Sequence, residues 1–311
     1  MDAASSGGRF IAGGTTLIDL MRETVERPES IIDINDLPYR DIDARPDRLR
    51  IGALVRMSEL AAHPVVRTEY PVIAEALNLS ASAQLRNMAS IGGNLMQRPR
   101  CLYFRDVTAA CNRREPGSGC PAIGGRNRTH AILGTSDRCV ATHPSDLAVA
   151  LAALDARIVL RKADGESTIR LADFYRMPGL TPEREHNLEP GQLIVAVEVP
   201  ATPSARRSGY LKVRDRASYE FAICSVAVIL DMQGPTIWSA QVAAGGVGTV
   251  PWRLPAVERA LAGRPATPDV IRAAADVASD GARPLSENGF KVDLLKRTVA
   301  RQVETIAGVV R

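Results

Sequence analysis

The alternation of apolar and polar positions divides this chain into segments of different period. Arg9-Phe10-Ile11-Ala12 reads as a short extended stretch, Gly13-Gly14 as a turn, and Leu17, Leu20 and Met21 as one face of a helix. Thr15 or Thr16 is the candidate cap of that helix. Ser30-Ile31-Ile32-Asp33-Ile34 predicts a second strand, so a small β-α-β unit is expected over 1–55. From Met57 to Ser82 the period is helical, with Leu60, Ala61, Val72, Ile73, Ala76 and Leu77 on apolar faces and Pro64 and Pro71 as interruptions. Residues 97–142 show neither period; they are rich in Arg, Gly, Pro and Cys and read as a loop in need of an internal staple.

Regular pattern returns at 146–154, an Ala/Leu helix, followed by the strand Arg157-Ile158-Val159-Leu160 and a hairpin-type turn at Gly165. Residues 193–199 alternate as a strand, segments near 209–214, 222–231 and 237–244 predict an antiparallel sheet, and 253–263, 268–280 and 291–310 predict helices. The fold class expected is α+β. The first domain has two subdomains, 1–55 and 56–175 with the insertion 97–142, and a smaller domain covers 176–311.

At 311 residues the chain exceeds what one core fills, which favours two or three lobes. A content of 45% hydrophobic and 24% charged residues excludes disorder as a description of the whole. The net charge of +4 is spread among acidic residues, so no nucleic-acid partner is expected. No apolar run approaches the roughly 18–20 residues that span a bilayer, and Met1 to Ser6 do not begin a signal peptide. Membrane insertion and independent export are therefore not expected.

Cys101, Cys111, Cys120 and Cys139 fall within 39 consecutive residues, with Cys224 elsewhere in an apolar strand where it reads as a small hydrophobe. The spacing Cys-x9-Cys-x8-Cys-x18-Cys is no ferredoxin pattern, and the residues alone leave open a zinc staple, two disulfides and a [4Fe–4S] cluster. Arg98, Arg100, Arg113 and Arg114 would offset the negative charge of such a cluster. His63, His130, His143 and His186 have no metal-ligand spacing.

Ala12-Gly13-Gly14-Thr15 and Ser90-Ile91-Gly92-Gly93-Asn94 each read as a strand end turning through paired glycines, where backbone N–H groups approach a phosphate unobstructed. A helix begins at once after the first, adding its own free N–H groups. Two such turns would clamp one pyrophosphate. By themselves Asp146 reads as a helix N-cap and Lys212 as a solvated strand lysine.

The run from Phe10 to Leu17, paired with Ala89-Ser90-Ile91-Gly92-Gly93-Asn94-Leu95, resembles the FAD-binding motifs of the medium subunits of the xanthine dehydrogenase and carbon monoxide dehydrogenase family. His143-Pro144-Ser145-Asp146-Leu147 is similar to the Ser-Asp flavin-side motif of that family, Leu193-Ile194-Val195 to its flavin-facing strand, and Tyr210 to Arg216 to its lysine stretch. The likeness runs from about residue 9 to 300 and implies a two-subdomain FAD-binding domain of the PCMH, vanillyl-alcohol-oxidase-like type. The FAD contacts it implies are Phe10, Ile11, Ala12, Gly13, Gly14, Thr15, Thr16, Leu17, Ala89, Ser90, Gly92, Gly93, Asn94, Asp146, Val195 and Lys212.

The residues flanking the cysteines resemble the flavoprotein subunit of the periplasmic aldehyde oxidoreductase branch, which implies a [4Fe–4S] cluster on Cys101, Cys111, Cys120 and Cys139. The branch further implies a three-subunit molybdenum hydroxylase. In it a large molybdopterin subunit oxidises an aldehyde, a small subunit with two [2Fe–2S] clusters passes electrons to FAD, and an external acceptor removes them. In that scheme no side chain of this chain acts as nucleophile or general acid. The compartment implied is the periplasm, reached through a partner's export signal, or the cytoplasm. Family members usually begin with an extra strand and helix before the first glycine turn, whereas eight residues precede Arg9 here, a departure that bears on the stability of the first sheet rather than on the FAD assignment. A stand-alone FAD oxidoreductase and a zinc-stapled non-enzymatic subunit are the alternatives.

Overall fold

The structure, a computed structural model, describes residues 8–309. Strands β1 (Arg9–Ile11) and β2 (Ile31–Asp33) pair in parallel, Phe10 opposite Ile32, across the helix Leu17–Arg22. This is the expected β-α-β unit, and it closes at β2.

The next strands, β3 (Ile42–Ala44) and β4 (Arg48–Gly52), join a second, wholly antiparallel sheet with β5 (Arg157–Lys162), β6 (Gly165–Arg170) and β7 (Leu193–Pro200). Its order is β3-β4-β7-β5-β6. Residues 42–52 and 193–200, expected with the segments 1–55 and 176–311, thus share a sheet with residues from 56–175. The reason lies in β7, whose residues 193–197 are all buried. Its Ile194, Val197 and Val199 face the main core, while Leu193, Val195 and Ala196 pack with Val159 and with Phe10, Ile34 and Tyr39. A strand covered on both faces needs neighbours on both sides, and local alternation does not say which they are.

The helices Met57–Ala62, Pro64–Glu69 and Pro71–Leu79 follow the predicted interruptions, because Pro64 and Pro71 each occupy the first turn of a new helix where a missing N–H costs nothing. The helix Asp146–Ala153 is capped by the Ser145 hydroxyl, which accepts from the Ala148 N–H at 2.9 Å. It buries all but Ala152, because it lies between the helix Pro71–Leu79 and the C-terminal sheet.

That third sheet runs from β8 (Ser208–Val213) through β9 (Cys224–Gln233) and β10 (Thr236–Gly245) to β11 (Trp252–Arg253), with β12 (Arg264–Pro265) also on β10. Helices Pro255–Leu261, Pro268–Asp276 and Phe290–Ala307 cover its other face around a core that includes Val226, Val228, Val242, Leu295 and Val299. Cys224 is fully buried there, and burial pushes its thiol up to about 11. Among the described residues no helix is long and apolar enough to cross a membrane.

The cysteine-rich insertion is not a free loop; its second half is sewn to the C-terminal part of the chain. The Ile132 and Leu133 N–H groups both donate to the Val247 carbonyl at 2.9 and 3.0 Å, and Arg283 N–H donates to Ile132 at 2.7 Å. Lys291, fully buried, donates from Nζ to the carbonyls of Thr129 (2.9 Å), His130 (2.9 Å) and Gly246 (2.7 Å). Lys291→Met removes the donor from three carbonyls at once, with an expected loss of about 3–5 kcal/mol. Urea unfolding checks this, together with trypsin cleavage near Arg126 and Arg128. An unchanged midpoint and an uncut insertion would show that the backbone bonds alone suffice.

Candidate functional site

The two glycine segments meet. Gly13 lies so close to the Met88 carbonyl that a Cβ would fall 2.6 Å from its carbon, and Gly14 takes φ +70°. Asn35 Nδ2 donates to the Ala12 carbonyl at 3.0 Å, and Arg56 links Asn35 Oδ1 (3.0 Å) to the Met88 carbonyl. Sequence reading passed over Arg56 and Asn35, since nothing local marks a residue that holds two distant loops together.

The five consecutive N–H groups from Gly13 to Leu17 have no acceptor among the described residues. The second segment differs from expectation. Ile91–Leu95 is a short helix, not a strand-end turn, and its amides are used: Ile91 donates to Val55, Gly92 to Ala53, Gly93 to the Ser90 hydroxyl and Asn94 to the Ser90 carbonyl. Ser90 makes this possible as an N-cap, and Gly92 by lacking a Cβ that would stand 3.0 Å from Ala53. The nest of free amides therefore belongs to the first segment. Asn94 accepts from the Ser145 hydroxyl at 2.6 Å, which joins the second segment to the helix after the insertion.

Asp146 is 6% exposed and fully partnered. Its Oδ2 accepts from Ser80 Oγ (2.9 Å) and Lys212 Nζ (2.7 Å), and its Oδ1 from the Tyr210 hydroxyl (2.7 Å). Burial first, and then Asp146, hold the Tyr210 phenol well above its usual range. Lys212 is no solvated lysine: its side chain is 0% exposed, and it also donates to the Leu79 carbonyl at 3.1 Å, at the C-terminus of Pro71–Leu79. Three side chains from two elements thus converge on one carboxylate, and Ser80 was invisible in the sequence. Phe10 and Val195 meet in the small apolar cluster at the first strand.

Beside Asp146 a cavity opens between the start of its helix and the loops of the C-terminal sheet, lined by Arg100, His143, Ser145, Phe221 and Ser225 among others. Three buried polar atoms of its lining, His143 Nε2, Ser225 Oγ and Arg100 Nε, have no hydrogen-bond partner among the described residues. His143 Nδ1 accepts from the Ser145 N–H at 3.3 Å, so in the neutral ring Nε2 carries the proton.

Burial, and then Arg113, push the His143 imidazole from 6.5 down to about 3. Below pH 6.5 the unfolded chain binds a proton that the folded chain refuses, so this stability is complete above 6.5 and is lost as pH falls from 6.5 towards 3. At pH 5 the expected loss is about 2 kcal/mol. His143→Gln should flatten that part of the profile, measured by urea unfolding at neutral pH and at pH 5; parallel losses in both proteins would exclude His143 as the source.

The insertion brings its four cysteines to one chamber, lined also by Tyr103, Phe104 and His130. All four are free thiols. Among the described residues no three His, Cys, Asp or Glu side chains are grouped as ligands of a single ion, although all four cysteines line the one chamber. Burial pushes Cys101 up to about 12 and Cys120 upward. Cys101 Sγ lies 3.2 Å from His130 Nε2, and Cys139 Sγ accepts from Arg113 Nη2 at 3.5 Å. The chamber rests on the first subdomain, with Cys111 and Phe104 packed on Leu20 and Arg100 paired to Asp19 at 3.0 Å.

Residues 1–202 match the family described as the FAD binding domain in molybdopterin dehydrogenase, and residues 209–305 the CO dehydrogenase flavoprotein C-terminal domain. The chain is 49% identical over 297 residues to the aldehyde oxidoreductase FAD-binding subunit PaoB of Escherichia coli strain K12, covering 94% of this chain and 90% of that one. It is 27% identical to the glyceraldehyde dehydrogenase medium chain of Sulfolobus acidocaldarius, over 90% of this chain and 82% of that one. Among solved structures it superposes on carbon monoxide dehydrogenase from Hydrogenophaga pseudoflava with a TM-score of 0.75 at 24% identity, covering 99% and 92% of the two chains. For quinoline 2-oxidoreductase from Pseudomonas putida 86 the TM-score is 0.74 at 21% identity, with 97% and 90% covered. At these identities the superpositions bear on the fold, while the sequence matches along nearly the whole length settle the family. The chain belongs to the FAD-binding medium subunits of the molybdenum hydroxylases.

Proposed function

We propose that this chain carries FAD and a [4Fe–4S] cluster in an aldehyde-oxidising molybdenum hydroxylase, passing electrons from its partners to an external acceptor. One observation carries the reading: Cys101, Cys111, Cys120 and Cys139 line one chamber, and the last of them stands seven residues before Asp146 of the cleft. The residues fit both groups. The free amides of Gly13 to Leu17 suit a pyrophosphate, with Phe10, Ile11 and Ala12 leading into them. Ala89, Ser90, Gly92, Gly93 and Asn94 stand opposite, the buried Val195 backs Phe10 in the apolar cluster at the first strand, and Asp146 with Lys212 fixes the cleft end near His143 Nε2 and Ser225 Oγ.

The four cysteines are the cluster ligands in this reading, and the buried Cys101 gives up its proton on ligation. Flavin and cluster supply the redox chemistry; this chain's residues bind, orient and exclude water. The partners are a large molybdopterin subunit and a small subunit with two [2Fe–2S] clusters. Aldehyde as the substrate class follows the name of the Escherichia coli relative. The complex works in the periplasm, exported on a partner's signal, or in the cytoplasm.

Metal, sulfide and flavin analysis of the purified complex tests this, with EPR after reduction by an aldehyde. FAD together with iron and sulfide in [4Fe–4S] proportion, beyond what the small subunit holds, is expected. A colourless, zinc-containing chain would overturn the proposal.

A further inference from the structure

Arg138 lines the chamber without a hydrogen bond to any sulfur among the described residues, and of four further arginines of the insertion, Arg98, Arg100, Arg113 and Arg114, three are engaged elsewhere. Arg98 pairs with Glu26 and with Glu185 (2.7 Å) and stacks on Phe104 at 4.6 Å. Arg100 pairs with Asp19 at 3.0 Å and stacks on Phe221 at 5.0 Å. Arg114 donates to the carbonyls of Tyr103 (3.1 Å), Phe104 (2.6 Å) and Ala109. Arg113 alone of the four reaches a sulfur: Nη2 lies 3.5 Å from Cys139 Sγ, while Nη1 lies 3.2 Å from Glu185 Oε2. It is 6% exposed, lines the chamber, and its buried Nε has no acceptor.

We propose that Arg113 is a positioning residue that sets the reduction potential of the cluster, through an N–H donated to the Cys139 sulfur and a positive charge held in place by Glu185. The inference rests on the cluster reading above. An electron added to a buried anionic centre is stabilised by a fixed donor on a ligand sulfur and by a cation that water does not screen, so the reduced form gains more than the oxidised one. Among the described residues His130 is the other side chain within hydrogen-bond reach of one of the four sulfurs, with Nε2 3.2 Å from Cys101 Sγ, and no carboxylate pairs with it as Glu185 pairs with Arg113.

An EPR-monitored redox titration of the whole complex tests this, comparing wild type with R113Q/E185Q, which removes both charges so that neither is left unpaired, and with R113K. In R113Q/E185Q the reduced-to-oxidised ratio at a fixed poise should fall about tenfold, equivalent to about 59 mV for a one-electron couple. R113K should lie between, and FAD content should be unchanged. A loaded double variant with the wild-type midpoint overturns the inference. If the double variant does not load iron, R113K decides: a lowered midpoint supports the inference and a wild-type midpoint overturns it. A wild-type complex without a [4Fe–4S] signal would sink the cluster reading instead.

Discussion

Gly13→Ala should strip this chain of FAD while leaving its domains folded. The new Cβ would stand 2.6 Å from the Met88 carbonyl carbon, closer still to its oxygen, and 3.1 Å from Ala89 Cα. All three are main-chain atoms, so no rotamer relieves the clash and one of the two segments must move. The turn that moves holds the five free amides, and the helix after it is too short to hold them in register alone. An affinity loss of at least tenfold, about 1.4 kcal/mol, is expected, with a stability cost of about 1–3 kcal/mol. Flavin absorbance after gel filtration measures the first and thermal unfolding the second. Gly124→Ala is the control, since a Cβ there would meet nothing within 4 Å and the residue lies outside both glycine segments. Full FAD retention in Gly13→Ala would show that the amide nest does not hold the cofactor.

Lys212→Met should be the costliest change in the cleft. Asp146 would keep the Tyr210 and Ser80 hydroxyls but lose the one cation that touches it, at a position 6% exposed. A buried pair broken from one side costs about 3–5 kcal/mol, because the remaining charge is left uncompensated. The Leu79 carbonyl loses a donor as well, though Arg214 still reaches it at 3.1 Å. Combining Lys212→Met with Asp146→Asn should recover a large part of the stability, since the stranded charge is gone. A double-mutant cycle on urea unfolding reads this coupling. Strictly additive losses would mean that the pair is incidental and that both side chains act separately.

Much of this architecture could be read in the sequence where the information was local. The helix at 146–153, the hairpin at Gly165 and the helices beginning at Pro64 and Pro71 rest on caps, turn residues and periodicity within a few positions. Strand partners were less legible: β7 reads as a strand from its own residues, yet its neighbours β4 and β5 lie far away in the chain. The clustering of the cysteines favoured metal or redox chemistry over packing, but spacing could not say that all four reach one chamber. Ser80, Tyr210 and Lys291 became visible only when their partners did; a lysine in a charged helical segment looks solvated until the carbonyls of Thr129, His130 and Gly246 close around it. The second glycine segment misled for the same reason, since its amides are spent on Ala53, Val55 and Ser90.

The attachment of the insertion to the C-terminal sheet has an evolutionary consequence. Ile132, Leu133, His143, Val247, Gly248 and Arg283 are joined through main-chain atoms, which every residue type other than proline supplies in full. Substitutions along 131–133 that preserve size therefore leave the chamber where it is, whereas Gly134 at φ +67° has no room for a Cβ. Drift should accumulate there without loss of function, so a comparison of sequences would undervalue a seam that anchors the second half of the insertion, on which Cys139 lies.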